Sequence, residues 1–188
     1  MRAGAVMLLT CLAMWPGPAE ARRGDRLQTG KGVLMLGGRL AVDIDHINPD
    51  QGESQSGAEL DFSPIFGGFP IRNLLLFGGL SVKKGFGDLH ENDPTTFGFR
   101  FGLQYLFNYG SIVVPYLGFA FGPSFLIPEQ GDTGTALSVA FPAGILISLN
   151  EHVAVNVGTE VDLTVGVTDP KATVVHVPMG YVGINAYF

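Results

Sequence analysis

The chain carries one cysteine, Cys11, in 188 residues. A lone thiol excludes an intrachain disulfide framework and a metal site built from several cysteines. Tryptophan is as scarce, with Trp15 alone near the N-terminus. Charged residues make up only 15% against 46% hydrophobic, so the chain is greasier than an average soluble domain. What charge there is runs acidic, to a net −6, which argues against a nucleic-acid partner because that needs a basic face. Histidines are sparse too. His46, His90, His152 and His176 are scattered without metal-ligand spacing, so no metal is expected. Long unbroken apolar runs are also missing. The two longest, Ile112–Pro128 and Ala136–Leu149, are cut by Pro115, Pro123, Pro142 and glycines, so neither can cross a bilayer as a helix.

What is present begins with a leader. Arg2 gives a positive start, Ala3 to Trp15 is apolar, and Pro16-Gly17-Pro18 breaks the stretch. Ala19-Glu20-Ala21 then supplies the small-x-small pattern that a signal peptidase reads. Residues 1–21 are therefore expected to be a cleaved signal peptide and 22–188 the mature domain. A rival lipoprotein box over Leu8-Leu9-Thr10-Cys11 is disfavoured by the threonine before the cysteine and by the very short leader.

The mature chain has the period of strands. Over Val153–Val165, Val153, Val155, Val157, Val161, Leu163 and Val165 point one way, and Asn156, Gly158, Glu160, Asp162 and Thr164 the other. Seven further segments alternate likewise: Leu34–Asp45, Ala58–Ser63, Leu74–Lys83, Phe97–Tyr105, Tyr116–Gly122, Ala136–Ser148 and Val174–Phe188. Strands of about ten residues match a tilted membrane crossing.

The joins alternate as well. His46–Gly57, Lys84–Pro94, Pro128–Gly134 and Thr168–Ala172 are polar, while Gly67–Asn73, Phe107–Ser111 and Asn150–His152 are short or aromatic. Long acidic loops on one side, and short turns with both termini on the other, are the asymmetry of a bacterial outer-membrane barrel. Phe66, Phe69, Phe107, Tyr109 and Phe188 are expected as an aromatic girdle at the periplasmic rim, with Phe86, Phe97 and Phe125 at the outer one. A sheet with one face in lipid cannot leave its backbone edge unpaired there, so it must close. The expected fold class is all-β, an eight-stranded antiparallel up-and-down transmembrane β-barrel with its interior filled by side chains.

In three features the chain resembles the small outer-membrane β-barrel superfamily that includes outer membrane protein A and outer membrane protein X. These are the Ala19-Glu20-Ala21 leader end, the strand Pro115-Tyr116-Leu117-Gly118-Phe119-Ala120-Phe121-Gly122, and the terminal Ile184-Asn185-Ala186-Tyr187-Phe188. The resemblance implies that Phe188 is the C-terminal aromatic by which the outer-membrane insertion machinery recognises its client. The barrel takes up the whole mature chain, so no separate peptidoglycan-binding domain is expected. A soluble lipocalin-like carrier also alternates, but it normally carries a Gly-x-Trp near its first strand, and Trp15 falls in the leader.

The strongest chemical constellation is an expected interior charge network: Arg39, Lys83 and Arg100 against Asp43, Glu59, Asp61, Glu160 and Asp162. Buried charges need such pairing because desolvating them alone is very costly. The acid excess leaves open a cation-attracting passage. Catalysis needs a nucleophile, a base and an orienting carboxylate. His176, with Thr173 or Thr164 in reach, is the only plausible base, and no deacylase motif surrounds it, so no enzyme and no catalytic residue is expected. No cofactor is expected either. Loop carboxylates Asp50, Glu53, Asp88, Glu91, Asp93, Glu129 and Asp132 could bridge to lipopolysaccharide phosphates through divalent cations, although solvated acidic loops look the same.

The reading is therefore a monomeric cell-envelope protein of a Gram-negative outer membrane, with a structural or surface-interaction role. Its expected partners are outer-membrane lipids, lipopolysaccharide and the insertion machinery, and no nucleic acid. The alternatives are a narrow channel or carrier of small apolar molecules, in the manner of outer membrane protein W, and a lipid A-modifying enzyme.

Overall fold

The structure, a computed structural model, describes residues 26–47, 55–87, 94–128, 133–167, 173–176 and 180–188. The expected leader, Cys11, His90 and the seven loop carboxylates named above lie outside the described residues.

Alternation along the chain resolves into β1 (Leu34–Ile47), β2 (Gln55–Ile71), β3 (Leu74–Gly87), β4 (Thr95–Leu106), β5 (Val113–Ile127), β6 (Gly134–Ser148), β7 (Val153–Gly166), β8 (Thr173–His176) and β9 (Tyr181–Tyr187). Neighbours run antiparallel in the order β6-β5-β4-β3-β2-β1-β9-β7, and pairing of β6 with β7 closes the ring. β8 lies against Asp162–Val165 of β7, and β9 against Val153–Gly158 of the same strand, so the two segments share one stave. The molecule is an eight-stranded closed antiparallel barrel.

Several boundaries differ from the sequence reading. The first seven strands run to between 12 and 17 residues rather than about ten. β1 continues through His46, expected in a loop, to Ile47, β2 begins at Gln55, and β3 continues to Gly87. A strand of 14 residues, rising about 3.3 Å per residue at a tilt of about 40°, reaches about 35 Å along the axis and so overhangs an apolar band of about 25 Å. The join expected over Gly67–Asn73 shrinks to Arg72-Asn73, with Ile71 paired to Leu74. Asn73 takes the left-handed conformation, φ 67°, which asparagine tolerates better than most residues. Gly67, Gly68 and Pro70 hid this continuation, because residues without a sided side chain carry no alternation. The last stave, expected over Val174–Phe188, is described as two segments, Thr173–His176 and Tyr181–Tyr187.

Three prolines leave gaps in the pairing. The β2–β3 pairing is interrupted between Phe62 and Ile65 around Pro64, β4–β5 between Ser124 and Phe121 around Pro123, and β5–β6 between Ala143 and Ala140 around Pro142, with the register kept across each gap. Each lacks the N–H its ladder needs.

The two faces separate by parity. Leu36, Phe62, Leu76, Phe101, Leu117, Phe121, Phe141, Val161 and Ile184 all point outward and are exposed. Soluble monomers rarely expose a contiguous apolar patch above a few hundred Å². A ring of Leu, Val and Phe around every stave needs lipid as its solvent. Phe69 departs from the expected periplasmic girdle. Its odd position in β2 turns it inward, where it is 2% exposed with its ring centroid 6.2 Å from that of Tyr187.

Candidate functional site

The candidate site is the lumen, built in layers from the short-turn end upward. Before β1, residues 26–33 cross beneath the barrel as a strap. Thr29 Oγ1 donates to Asn73 Oδ1 at 2.7 Å, and the Asn73 N–H donates to the Thr29 carbonyl at 2.9 Å. Asn108 Nδ2 donates to the Leu27 carbonyl at 2.9 Å and to Thr29 Oγ1 at 3.0 Å. The Gln28 N–H donates to the Glu151 carbonyl at 3.0 Å. Asn73, Asn108 and Glu151 belong to three different turns, so the strap ties all three together. Leu27 rises from it into a buried apolar layer with Met35, Phe69, Leu75, Leu106, Val114 and Leu146.

Above that layer, one cross-strand row runs Tyr116, Gly144, Gly158, Tyr181 through β5, β6, β7 and β9. The two glycines leave the floor over which the tyrosine side chains lean toward each other. Their hydroxyls meet at 2.6 Å, and Tyr116 Oη also donates to Asn156 Oδ1 at 2.7 Å.

The next layer is ionic. Arg39 of β1 grips Glu160 of β7 by both nitrogens, Nη1 to Oε2 at 2.7 Å and Nη2 to Oε1 at 3.0 Å. Arg100 of β4 reaches the same carboxylate at 2.8 Å through Nη1 and gives Nη2 to Asp162 Oδ2 at 3.2 Å. All four side chains are buried. Two cations and two anions balance, and the Arg39 guanidinium also lies 4.8 Å from the centroid of the Tyr181 ring. Alternation explains the grouping: each of these residues takes the inward parity of its strand. Two voids beside the layer, about 10 and 20 Å³, have room for about one water each.

Nearer the long-loop end, Asp61 accepts from Ser63 Oγ at 2.7 Å and faces Lys83 Nζ at 3.8 Å. Asp43 and Glu59 stand opposite each other in the β1–β2 ladder, half-buried. Hydroxyls continue the lining, with Ser138 Oγ 2.9 Å from Thr164 Oγ1, and Thr164 Oγ1 3.3 Å from Asp162 Oδ1.

The fold matches that of a small outer-membrane barrel, Neisserial surface protein A. The crystal structure of that protein superposes with a TM-score of 0.58 over 84% of this chain and 98% of that one, at 15% identity. No family model and no curated protein matches the chain. At that identity the likeness is one of architecture, and chemistry has to be argued from this lumen.

Of the eight charges singled out in the sequence, the structure gathers Arg39, Arg100, Glu160 and Asp162 into one cluster and Lys83 with Asp61 into a second pair. Asp43 and Glu59 stand farther out. His152 sits in the β6–β7 turn, its Nδ1 3.0 Å from the Tyr187 carbonyl oxygen. His176 lies in β8, opposite Asp162 in the ladder. Phe188 points outward and exchanges backbone hydrogen bonds with Leu34, both at 2.9 Å. No group of three His, Cys, Asp or Glu able to hold a metal occurs among the described residues. The sequence reading missed the apolar lower lumen and the strap. Parity alone, extended from Gln104 to Leu106 and from Phe77 back to Leu75, signals the first. The strap has no periodicity and left no signal.

Proposed function

We propose that the protein is a small integral β-barrel of the bacterial outer membrane with a structural or surface-interaction role, neither a conducting pore nor an enzyme. The observation that carries this reading is Glu160 held between Arg39 and Arg100 across the barrel axis. Separating a buried ion pair costs on the order of 3–5 kcal/mol. An ion moving through the lumen would have to part this cluster, then pass the apolar layer around Leu106 and the strap. A carrier of small apolar molecules needs an apolar chamber, and the voids at mid-lumen hold about a water each. The exposed Leu, Val and Phe ring supports lipid as the surrounding phase, with lipopolysaccharide and the insertion machinery as the partners such a barrel meets, the latter through Phe188.

Gel mobility of the protein from isolated outer membranes, with and without boiling, tests the placement. The expected result is a band resistant to urea extraction whose mobility changes on heating. A soluble periplasmic protein without a heat-dependent shift would overturn it. Planar-bilayer recordings of the folded protein test the role, and steady unitary currents would replace the structural reading with the channel.

A further inference from the structure

A large cavity lies outside the lumen, at the short-turn end. It measures about 590 Å³ and opens between the strap and the β2–β3 and β4–β5 turns. Arg26 and Arg72 line it, with Asn73, Asn108, Tyr109 and Gly110. Both arginines are exposed, and neither has a carboxylate partner among the described residues. Gly110, at φ +87°, leaves the space in which Arg26 lies across the β4–β5 turn; a Cβ there would stand 3.1 Å from Arg26 Nε. Glu151, in the β6–β7 turn, does not line the cavity, and its carboxylate lies 3.4 Å from both Gln28 Nε2 and His152 Nε2. Among the described residues the cavity lining holds two guanidinium groups and no carboxylate, which favours an anion.

The surroundings narrow the class. Tyr109 lines the cavity, and Ile71, Ile112 and Val113, next in sequence to the two turns that border it, are exposed, continuing the apolar ring toward its rim. An amphipathic tyrosine at such a rim sits at headgroup level. Guanidinium groups match phosphate oxygens in planar, two-point geometry.

We propose that Arg26 and Arg72 form a phosphate site for the headgroup of an inner-leaflet phospholipid, whose acyl chains lie along the rim formed by Ile71, Ile112 and Val113. The proposal rests on the membrane placement argued above. It gives the strap a second role, since the residues that close the barrel also carry Arg26 to the lipid.

The test is native mass spectrometry of the full mature chain, folded in a maltoside detergent that carries no phosphate. Phosphatidylglycerol, a diacylglycerol of the same chains, and glycerol phosphate are offered in turn. One retained phosphatidylglycerol is expected, with the diacylglycerol lost. Retention should weaken about tenfold for each of Arg26→Gln and Arg72→Gln, while Arg72→Lys keeps part of it. Equal retention of diacylglycerol, or undiminished retention by the double variant, overturns the site. Glycerol phosphate binding as tightly as the lipid overturns the lipid assignment in favour of a soluble phosphate. Heat-dependent mobility of each sample is read in parallel. Its loss in the unsubstituted protein reports failure of the barrel reading, and its persistence in the variants shows that they are folded.

Discussion

The hydroxyls of Tyr116 and Tyr181 meet 2.6 Å apart above Gly144 and Gly158, the residues of the two strands that separate them. A Cβ at Gly158 would lie 2.5 Å from one hydroxyl and 2.8 Å from the other. Gly158→Ala therefore overpacks the row and should destabilise the folded barrel by about 1–3 kcal/mol. Tyr116→Phe alone leaves Asn156 Oδ1 without that donor and should cost about 1 kcal/mol. Because the phenylalanine removes the nearest of the clashing atoms, leaving Tyr181 Oη and the Ala143 carbonyl oxygen, the double variant should lose somewhat less than the sum of the two. Urea midpoints in detergent micelles measure all three, and strictly additive losses would remove the glycine floor from the account.

Glu160 is the hinge of the ionic layer, since both arginines depend on it. Glu160→Gln removes the carboxylate that Arg39 grips and leaves Arg100 with Asp162 alone, and should cost about 3–5 kcal/mol. Exchanging the charges of Arg39 and Glu160 together should not restore stability. An isolated pair would tolerate the exchange, but Arg100 Nη1 stands 2.8 Å from the Glu160 carboxylate and would then face another cation. Urea midpoints again decide. Full recovery by the exchanged variant would show that Arg100 contributes little to holding position 160.

The barrel and the inward charges were legible because alternation is a one-bit signal repeated along every stave. Val161 outward and Glu160 inward follow from parity alone, and closing the sheet brings residues of β1, β4 and β7 to one point on the axis. Counting positions up each strand puts Arg39, Arg100 and Glu160 at similar heights, but parity does not say which of Asp43, Glu59, Asp61 and Asp162 joins them. It fails wherever side chains give no side, as across Gly67, Gly68 and Pro70, where β2 continued unseen. Phe69 lies in that stretch, so its inward turn follows only once β2 is seen to continue through it to Ile71. The strap was illegible for a different reason. Its hydrogen bonds run to three turns far away in sequence, and nothing local in Leu27-Gln28-Thr29 announces them.

Asn108 fastens that strap, giving Nδ2 to Leu27 and to Thr29 while its Oδ1 accepts from the Gly110 N–H at 3.1 Å. Asn108→Ala removes the two bonds to the strap and should favour its release by about 2 kcal/mol, about a 30-fold rise in the released population. Arg26 and Lys31 then become trypsin sites in an otherwise folded barrel. Limited proteolysis in micelles, followed by intact mass, reads the rate of cleavage there. An unchanged rate in the variant would mean that the apolar seat of Leu27, rather than the asparagine, holds the strap.

Two barriers in series make a specific demand on conductance. The strap and apolar layer close the short-turn end, and the Arg39–Glu160–Arg100 cluster closes mid-lumen, so removing either alone should leave the barrel silent in planar bilayers. A chain lacking residues 22–31 should insert, keep its heat-dependent mobility and pass no steady current, because ions still meet a cluster whose separation costs about 3–5 kcal/mol. Arg39→Ala, Arg100→Ala and Glu160→Ala together empty mid-lumen but leave the strap and the layer around Leu106 and Leu146 in place. Only the combination of the deletion with the triple substitution is expected to give brief, small openings, since the apolar layer still narrows the path. Steady current from the deletion alone would show that the ionic layer yields to ions, and would move the channel reading ahead of the structural one.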